Sequence, residues 1–405
     1  MLSVADALAR VAARFAALPA EQVALPQALG RVLAEDLAAT RDQPPAPVSA
    51  MDGYAVRSAD LTGGSARLRV IGRVPAGGSF AGRVEAGTAV RIFTGAPVPD
   101  GADAVAIQEN ATVEGADVVL EGAVASGRNV RAQGLDVRAG ETVLQAGRRL
   151  TARDLGLAAS LNRVWLRVRR RPRVAILGTG DELVPPGVQP GPNAIIASNN
   201  VTLAAMVTAW GAQPIDLGIA PDRADGLRSA LGNAAGADLL LTSGGASVGE
   251  LDLMREVMDA PDDADGLAFW KIAMRPGKPL IFGHVGGVPL LGLPGNPVSS
   301  AVCACLFARA AIEVMLGRPH HPVLSSARLG RAMAANDTRE DYVRARIERA
   351  ADGETTATPF ERQDSSMFRT FALADALIVR PPHAPAAQQG DRVQVMLLSP
   401  DGLAV

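Results

Sequence analysis

The chain has 405 residues, of which 48% are hydrophobic and 20% charged, with a formal net charge of −2 at pH 7. That length asks for several domains, and the near-neutral charge gives no electrostatic reason to expect nucleic acid as a partner. Cys303 and Cys305 are the two cysteines, with no CxxC pair and no Cys/His cluster, which argues against a disulfide framework or a zinc site and fits a cytoplasmic location.

Residues 1–18 read MLSVADALARVAARFAAL. Arg10 and Arg14 fall among apolar residues at helical period, and the uninterrupted apolar core of a signal peptide is missing, so an amphipathic helix is expected. No run reaches the ~20 apolar residues of a membrane span. Pro44, Pro45 and Pro47 then end the helical region and force an extended linker. Short β-branched runs between glycines follow ("RLRVIGRV", "TAVRIFTG", "ADAVAIQE", "ADVVLEG"), the pattern of an all-β module. A helical "TARDLGLAASL" and a strand-like "RVWLRVRR" come next, closing back on the first helix around the inserted module. The arginines at 167, 169, 170, 171 and 173 alternate with apolar residues and read as a solvated strand face.

From 172 to about 320, β runs alternate with helical runs: "RVAIL" before "NNVTLAAMVTAW", "PIDLGI" before "PDRADGLRSALGNA", then "DLLL", "PLIFG", "VPLLGL" and a long apolar helix opened by Pro297. The last ~80 residues return to alternating strands. The expected fold is α/β plus β: a central three-layer α/β/α domain with a mostly parallel sheet (171–323), an inserted β domain (47–141), a helical and extended linker domain (1–46 and 142–170) and a C-terminal β-barrel-like domain (324–405).

In the α/β region, polar or glycine-rich loops adjoin apolar strands: "GTGDEL" (178–183), "TSGGASVGELD" (242–252), "MRPGKP" (274–279) and "GLPGNP" (292–297). Loops of this kind converge on the carboxyl edge of a parallel sheet, where open α/β sheets bind ligands, and glycine lets the backbone approach an oxyanion closely. Thr179, Ser243, Gly244, Gly245, Ser247, Pro294, Asn296 and Pro297 are the binding candidates there. Asp181, Glu182, Asp222, Glu250 and Asp252 gather at the same edge without a histidine. An acid-only, oxygen-rich set favours a hard cation such as Mg2+, with Glu182 and Asp252 as ligands; Asp222 reads equally as a helix N-cap. Lys271, Arg275 and Lys278 offer positive charge for an anion. His284, His320, His321 and His383 fall outside these loops, and the cysteines sit within an apolar helix as packing residues.

Seven segments, "SAMDGYAVR", "IFTGAPVPDGADAV", "GRNVRAQGLD", "GTGDEL", "TSGGASVGELD", "RPGKP" and "GLPGNPVS", in this order, resemble the molybdopterin molybdenumtransferase family, the bacterial counterpart of the gephyrin E domain. The resemblance spans nearly the whole chain. It implies insertion of molybdate into adenylylated molybdopterin with release of AMP, a divalent cation, and a homodimer with a shared active site that other molybdenum-cofactor biosynthesis proteins can approach. It also implies functional positions at Asp52, Thr94 and Asp136 in the β module, and at Arg344 and Ser365 near molybdate. Where the family pattern has lysine in "KPGKP", this chain has Arg275: the charge is kept, but a planar fork replaces a point donor. A molybdopterin adenylyltransferase or a non-catalytic scaffold of the same fold are the alternatives; the first needs only the α/β unit.

Overall fold

The computed structural model describes residues 1–244, 268–319, 322–351 and 353–398. By contact the chain divides into two units, one of Met1–Ala34, Gly147–Leu155 and Trp165–Val405, the other of Glu35–Ala146 and Gly156–Val164.

In the first unit a six-stranded sheet runs in the order Gln213–Ala220, Arg173–Thr179, Leu239–Ser243, Val288–Leu293, Pro279–Val285, Ala268–Lys271. The first three pairings are parallel and the last two antiparallel. Both faces are covered, which is why the strands read as continuous apolar runs. On Arg173–Thr179, Val174 and Ile176 join one core with Leu203, Val207, Val298 and Val302 of the helices Ser198–Ala209 and Pro297–Cys303. Ala175 and Leu177 point the other way, toward Leu227 and Leu231 of the helix Ala224–Gly232. The period of two in side-chain direction thus builds two cores from one strand, each buried Leu or Val contributing about 1.5–3 kcal/mol.

The helix Val4–Ala12 starts with Ser3, whose side chain accepts the Asp6 N–H, and lays Val4, Ala7 and Val11 into the first of these cores. Strand Ala20–Ala24 pairs antiparallel with Trp165–Arg169, which sets the chain after the insertion beside a strand rather than on the first helix. One described helical stretch, Pro297–Met315, is long and apolar enough to cross a membrane, and 83% of that apolar window is buried inside the fold. It is a core helix, with a π turn at Ala304–Ala308. Near the C-terminus five strands, Leu324–Leu329, Glu340–Arg349, Thr355–Pro359, Ala376–Arg380 and Arg392–Leu397, close into a barrel. Met274–Arg275 adds to it in parallel, opposite Glu340 and Asp341.

The second unit centres on a six-stranded sheet ordered Ala104–Ile107, Gly53–Val56, Thr88–Ile92, Ser65–Val74, Asp117–Glu121, Ala111–Glu114. Tyr54 and Val56 enter one core of this unit and Ala55 another. The proline stretch is held by its neighbours in the unit: Val48–Ser49 pairs with Val130–Arg131, Gln43 bridges Val137, and Gly134 donates its N–H to the Pro44 carbonyl at 3.0 Å. The "GRNVRAQGLD" segment is therefore what fixes the path of "QPPAPVS".

Candidate functional site

The chain passes from Arg173–Thr179 to the neighbour on one side, Gln213–Ala220, and then to the neighbour on the other, Leu239–Ser243. The carboxyl ends of Arg173–Thr179 and Leu239–Ser243 therefore form the switch point at which open α/β sheets leave a crevice. Thr179, Ser243 and Gly244 stand there. Gly244 has φ +106, and a Cβ on it would meet the Thr179 carbonyl oxygen at 2.4 Å, so only glycine lets the two strand ends approach this closely. Gly295 of the "GLPGNP" loop joins them: a Cβ on it would stand 3.6 Å from the Gly244 Cα.

Asn199 ties the loops together, donating to Ser243 Oγ at 2.5 Å and to the Gly295 carbonyl at 2.8 Å. Its neighbour Asn200 is buried and donates to Asp216 Oδ1 at 3.0 Å and to the Gly218 carbonyl at 2.9 Å. By sequence pattern both belong simply to the helical run "NNVTLAAMVTAW". Buried Pro294 ends the strand, Asn296 is the N-cap and Pro297 opens the helix, the position where its missing N–H costs nothing. Asn296 makes no cap bond with its side chain; it donates instead to Ser365 Oγ at 3.0 Å, and the Ser365 carbonyl accepts the Val298 N–H at 3.1 Å. Ser365 is thus brought to the α/β loops. Two hydroxyls under this edge, Thr179 Oγ1 and Thr242 Oγ1, are buried and make no hydrogen bond among the described residues.

Of the acids, Glu182 is exposed and folds back over Gly180, whose missing Cβ leaves room for both carboxylate oxygens. Asp181 accepts the Asp222 N–H at 3.1 Å. Asp222 is not the N-cap: the helix starts at Ala224 with Arg223 in the cap position, because Pro221 and Asp222 are used to turn off the preceding strand. Gly245, Ser247, Glu250 and Asp252 lie outside the described residues. No group of three His, Cys, Asp or Glu able to hold a metal exists among the described residues.

The cationic turn divides in two. Lys271 and Lys278 are exposed and form no ion pair among the described residues, and the Ile272 N–H donates to the Lys278 carbonyl at 2.8 Å, which keeps both ends of the turn side by side. Arg275 is already committed: its guanidinium grips Asp341 with Nε at 2.9 Å and a second, shorter bond from Nη2, and Asp337 is 3.8 Å away. This corrects the expectation of a free anion clamp at Arg275, and the cause is the parallel pairing of Met274–Arg275 with the barrel strand that carries Asp341. Arg344 needs a similar correction. It is 1% exposed, bonded through Nε to Gln363 Oε1 at 3.1 Å and through Nη1 to the Met367 carbonyl at 3.3 Å, and burial lowers its pKa. It supports Gln363, which with Arg275 lines a groove of about 740 Å³ on the barrel.

In the second unit Asp52 accepts two bonds from Thr94, from its N–H and its hydroxyl, both at 2.8 Å. These bonds hold the Asp52 carboxyl below its usual pKa, ionised at neutral pH. Two residues singled out 42 positions apart are therefore one feature. Asp136 is exposed, and its backbone N–H donates to the Gln43 carbonyl at 2.9 Å. Asp42, absent from the sequence expectations, takes the Ala139 N–H at 2.8 Å and Gln133 Nε2 at 2.6 Å.

Comparison with known proteins bears on all of this. The MoeA N-terminal region (domain I and II) matches residues 2–162, a "Probable molybdopterin binding domain" matches 175–314, and the MoeA C-terminal region (domain IV) matches 326–398. The chain belongs to the MoeA family. A molybdopterin molybdenumtransferase of Haemophilus influenzae is 34% identical over 93% of this chain and 93% of its own length. Molybdopterin molybdenumtransferase 2 of Mycobacterium tuberculosis is 36% identical over 92% and 94%. The crystal structure of a molybdopterin biosynthesis MoeA protein from Pyrococcus horikoshii superimposes with a TM-score of 0.85 at 27% identity, covering 98% of this chain and 100% of that one. As a MoeA-family protein this chain is an enzyme of molybdenum cofactor biosynthesis, a molybdopterin molybdenumtransferase by family. The switch-point loops fall inside the molybdopterin-binding match, Asp52 and Thr94 inside the N-terminal one, and Ser365 inside the C-terminal one.

Proposed function

We propose that the enzyme inserts molybdate into adenylylated molybdopterin and releases AMP, with Mg2+ required. The observation that supports this reading is the meeting of Thr179, Ser243, Gly244, Gly295, Asn296 and Ser365 at one sheet edge, linked through Asn199. The close glycine approach brings the ends of the two strands together, and the hydroxyls of Thr179 and Thr242, which make no hydrogen bond among the described residues, are donors open to a ligand. Molybdate is a dianion approaching an anionic substrate, and two unit charges 4 Å apart repel by about 4 kcal/mol at an effective dielectric of 20. The exposed Lys271 and Lys278, which form no ion pair among the described residues, offset that repulsion and orient the substrate. Asp52, kept ionised by Thr94, serves the reaction as a fixed carboxylate.

The donor set fits a hard cation, since Glu182, Thr179 and Thr242 offer only oxygen, and among the described residues too few acids converge to hold the ion without substrate phosphates. Glu182 and Asp252 would hold Mg2+, which when bound neutralises the phosphoanhydride. The subunits are proposed to form a homodimer with shared sites, and the enzyme to meet substrate delivered by other molybdenum-cofactor biosynthesis proteins.

The test is AMP release from adenylylated molybdopterin by the purified protein. Release that requires both molybdate and Mg2+ is expected. Release independent of molybdate, or unchanged after exhaustive chelation, removes the corresponding half of the proposal. Formation of adenylylated pterin from molybdopterin and ATP would instead favour the adenylyltransferase reading.

A further inference from the structure

A single amide group, that of Asn199, governs two loops. Its nitrogen donates to Ser243 Oγ at 2.5 Å and to the Gly295 carbonyl at 2.8 Å. A carbonyl oxygen can only accept, so the nitrogen must face Gly295, and both of its hydrogens are then committed. The helix sets this position: Ala197 is the N-cap of Ser198–Ala209, so Asn199 lies in the first turn, half-buried and within reach of the end of Leu239–Ser243 and of the "GLPGNP" loop.

Each bond fixes the direction of another donor. Ser243 is 2% exposed, and its hydroxyl oxygen accepts from Asn199, so its own proton is turned away from Asn199. No described residue accepts that proton, and a buried donor without an acceptor costs free energy. The peptide between Gly295 and Asn296 is trans, so the Asn296 N–H points opposite to the Gly295 carbonyl and hence also away from Asn199. That N–H is on an exposed residue and donates to no described residue, while the Asn296 side chain is already bonded to Ser365. The approach of Gly295 to Gly244 keeps the two loops side by side.

We infer that Asn199 is a positioning residue for the substrate, fixing the Ser243 hydroxyl and the Asn296 N–H as a pair of donors for an anionic oxygen of the pterin's phosphate. This rests on the reading that the switch-point loops hold the pterin substrate. Asn199 itself touches no substrate. Its two hydrogens are what the role requires, because an acceptor in their place would draw the Ser243 proton toward itself and repel the Gly295 carbonyl. Two donors oriented before binding meet an anion without reorganisation, and hydrogen bonds to an anion are the stronger kind.

Anaerobic titration of the full chain with molybdopterin tests this. Asn199→Asp keeps the shape of the side chain and exchanges both donors for acceptors, and an acid is well tolerated in a first helical turn. It should weaken molybdopterin about tenfold or more, with the urea midpoint close to wild type. Asn199→Ala removes the donors without adding charge and should weaken binding in the same direction, so the result does not depend on one variant folding. In a Ser243→Ala background, Asn199→Asp should cost at most about a third of its factor in the wild type, because one of the two donors is then already gone. In AMP release the loss should fall on KM, with kcat kept within about twofold, since the phosphate oxygen is bound before and during reaction. Binding by both Asn199 variants within twofold of wild type, equal factors in the two backgrounds, or no saturable binding of molybdopterin by the wild type would overturn the inference. A wild type that binds molybdopterin and releases no AMP would overturn the proposed reaction instead, while the binding constants still decide the role of Asn199.

Discussion

Replacing Gly244 by alanine tests whether the close approach of strand ends at the switch point matters to the reaction. The new Cβ would lie 2.4 Å from the Thr179 carbonyl oxygen and 2.7 Å from Thr179 Oγ1, against the 3.0 Å below which real Cβ contacts essentially never fall. The first of these atoms is backbone, so rotation of a side chain gives no relief. A non-glycine residue held at φ +106 costs about 1–3 kcal/mol, and overpacking typically adds about 1–3 kcal/mol if nothing moves. The loop instead shifts away from Thr179, recovering most of the clash energy and displacing the binding groups. A misplacement on the order of 1 Å lowers a rate about 10²-fold. The expected outcome is a fall in kcat/KM for AMP release of about that size, about 2.7 kcal/mol, with a stability loss in urea of about 1–2 kcal/mol. Gly156→Ala is the control: it lies in the helix Ala152–Ser160 with nothing within 4 Å of the added Cβ, and should gain about 0.5–1 kcal/mol. A Gly244→Ala enzyme with kcat/KM within twofold of wild type would refute the argument that this contact positions substrate.

Other expectations are more local. The Asp337 carboxyl is lowered to about 2, first by the Arg339 side chain and then by the Arg339 N–H, so its contribution to stability is complete above the ordinary value of 3.8 and is lost as pH falls toward 2; a carboxyl carbon NMR titration with a midpoint near 4 would contradict this. Burial pushes the Cys303 thiol far up and Cys305 to about 12, so the native protein should resist iodoacetamide at pH 8 and react readily in urea; stoichiometric labelling of the native state would show otherwise. Asp52→Asn and Asp252→Asn should each abolish AMP release, and co-expression of the two should restore about a quarter of wild-type activity if each site takes one residue from each subunit. Isolated mixed dimers with no activity would sink the shared site.

The sequence revealed the parts of the fold that repeat locally. The alternation of β and helical runs, Pro297 at a helix start and the glycine loops all act over a few residues, and the central sheet, the inserted β sheet and the C-terminal strands follow them. What it concealed depends on long-range pairing. Arg275 looked like a free cation because nothing within "MRPGKP" announces Asp341, 66 residues on. Arg344 looked like a ligand by its motif, whereas its burial follows from barrel closure between Glu340–Arg349 and Ala376–Arg380. Asn199 was hidden because amides are common near helix starts, and its two bonds reach 44 and 96 residues away. Asp52 and Thr94 were both marked, but their mutual hydrogen bonds came only with the sheet that aligns Gly53 with Ile92.

The pairing of Ala20–Ala24 with Trp165–Arg169 has a kinetic consequence. It joins residues separated by well over a hundred positions, and in an unfolded chain the closure entropy of so long a loop opposes it before any contact rewards it. The loop is not unstructured chain, however. Within the second unit, Leu37–Ala38 pairs with Thr142–Leu144 and Ala39 donates to Glu141, so once that unit folds its entry and exit strands leave side by side. Residues 33 and 147 are then already neighbours, as the Gly147 N–H to Leu33 carbonyl bond of 2.8 Å requires. The inserted unit thereby shortens the search of the unit that surrounds it, and mutations in the core around Val56 and Leu68 should slow the appearance of the distant Ala20–Ala24 strand as well as their own sheet.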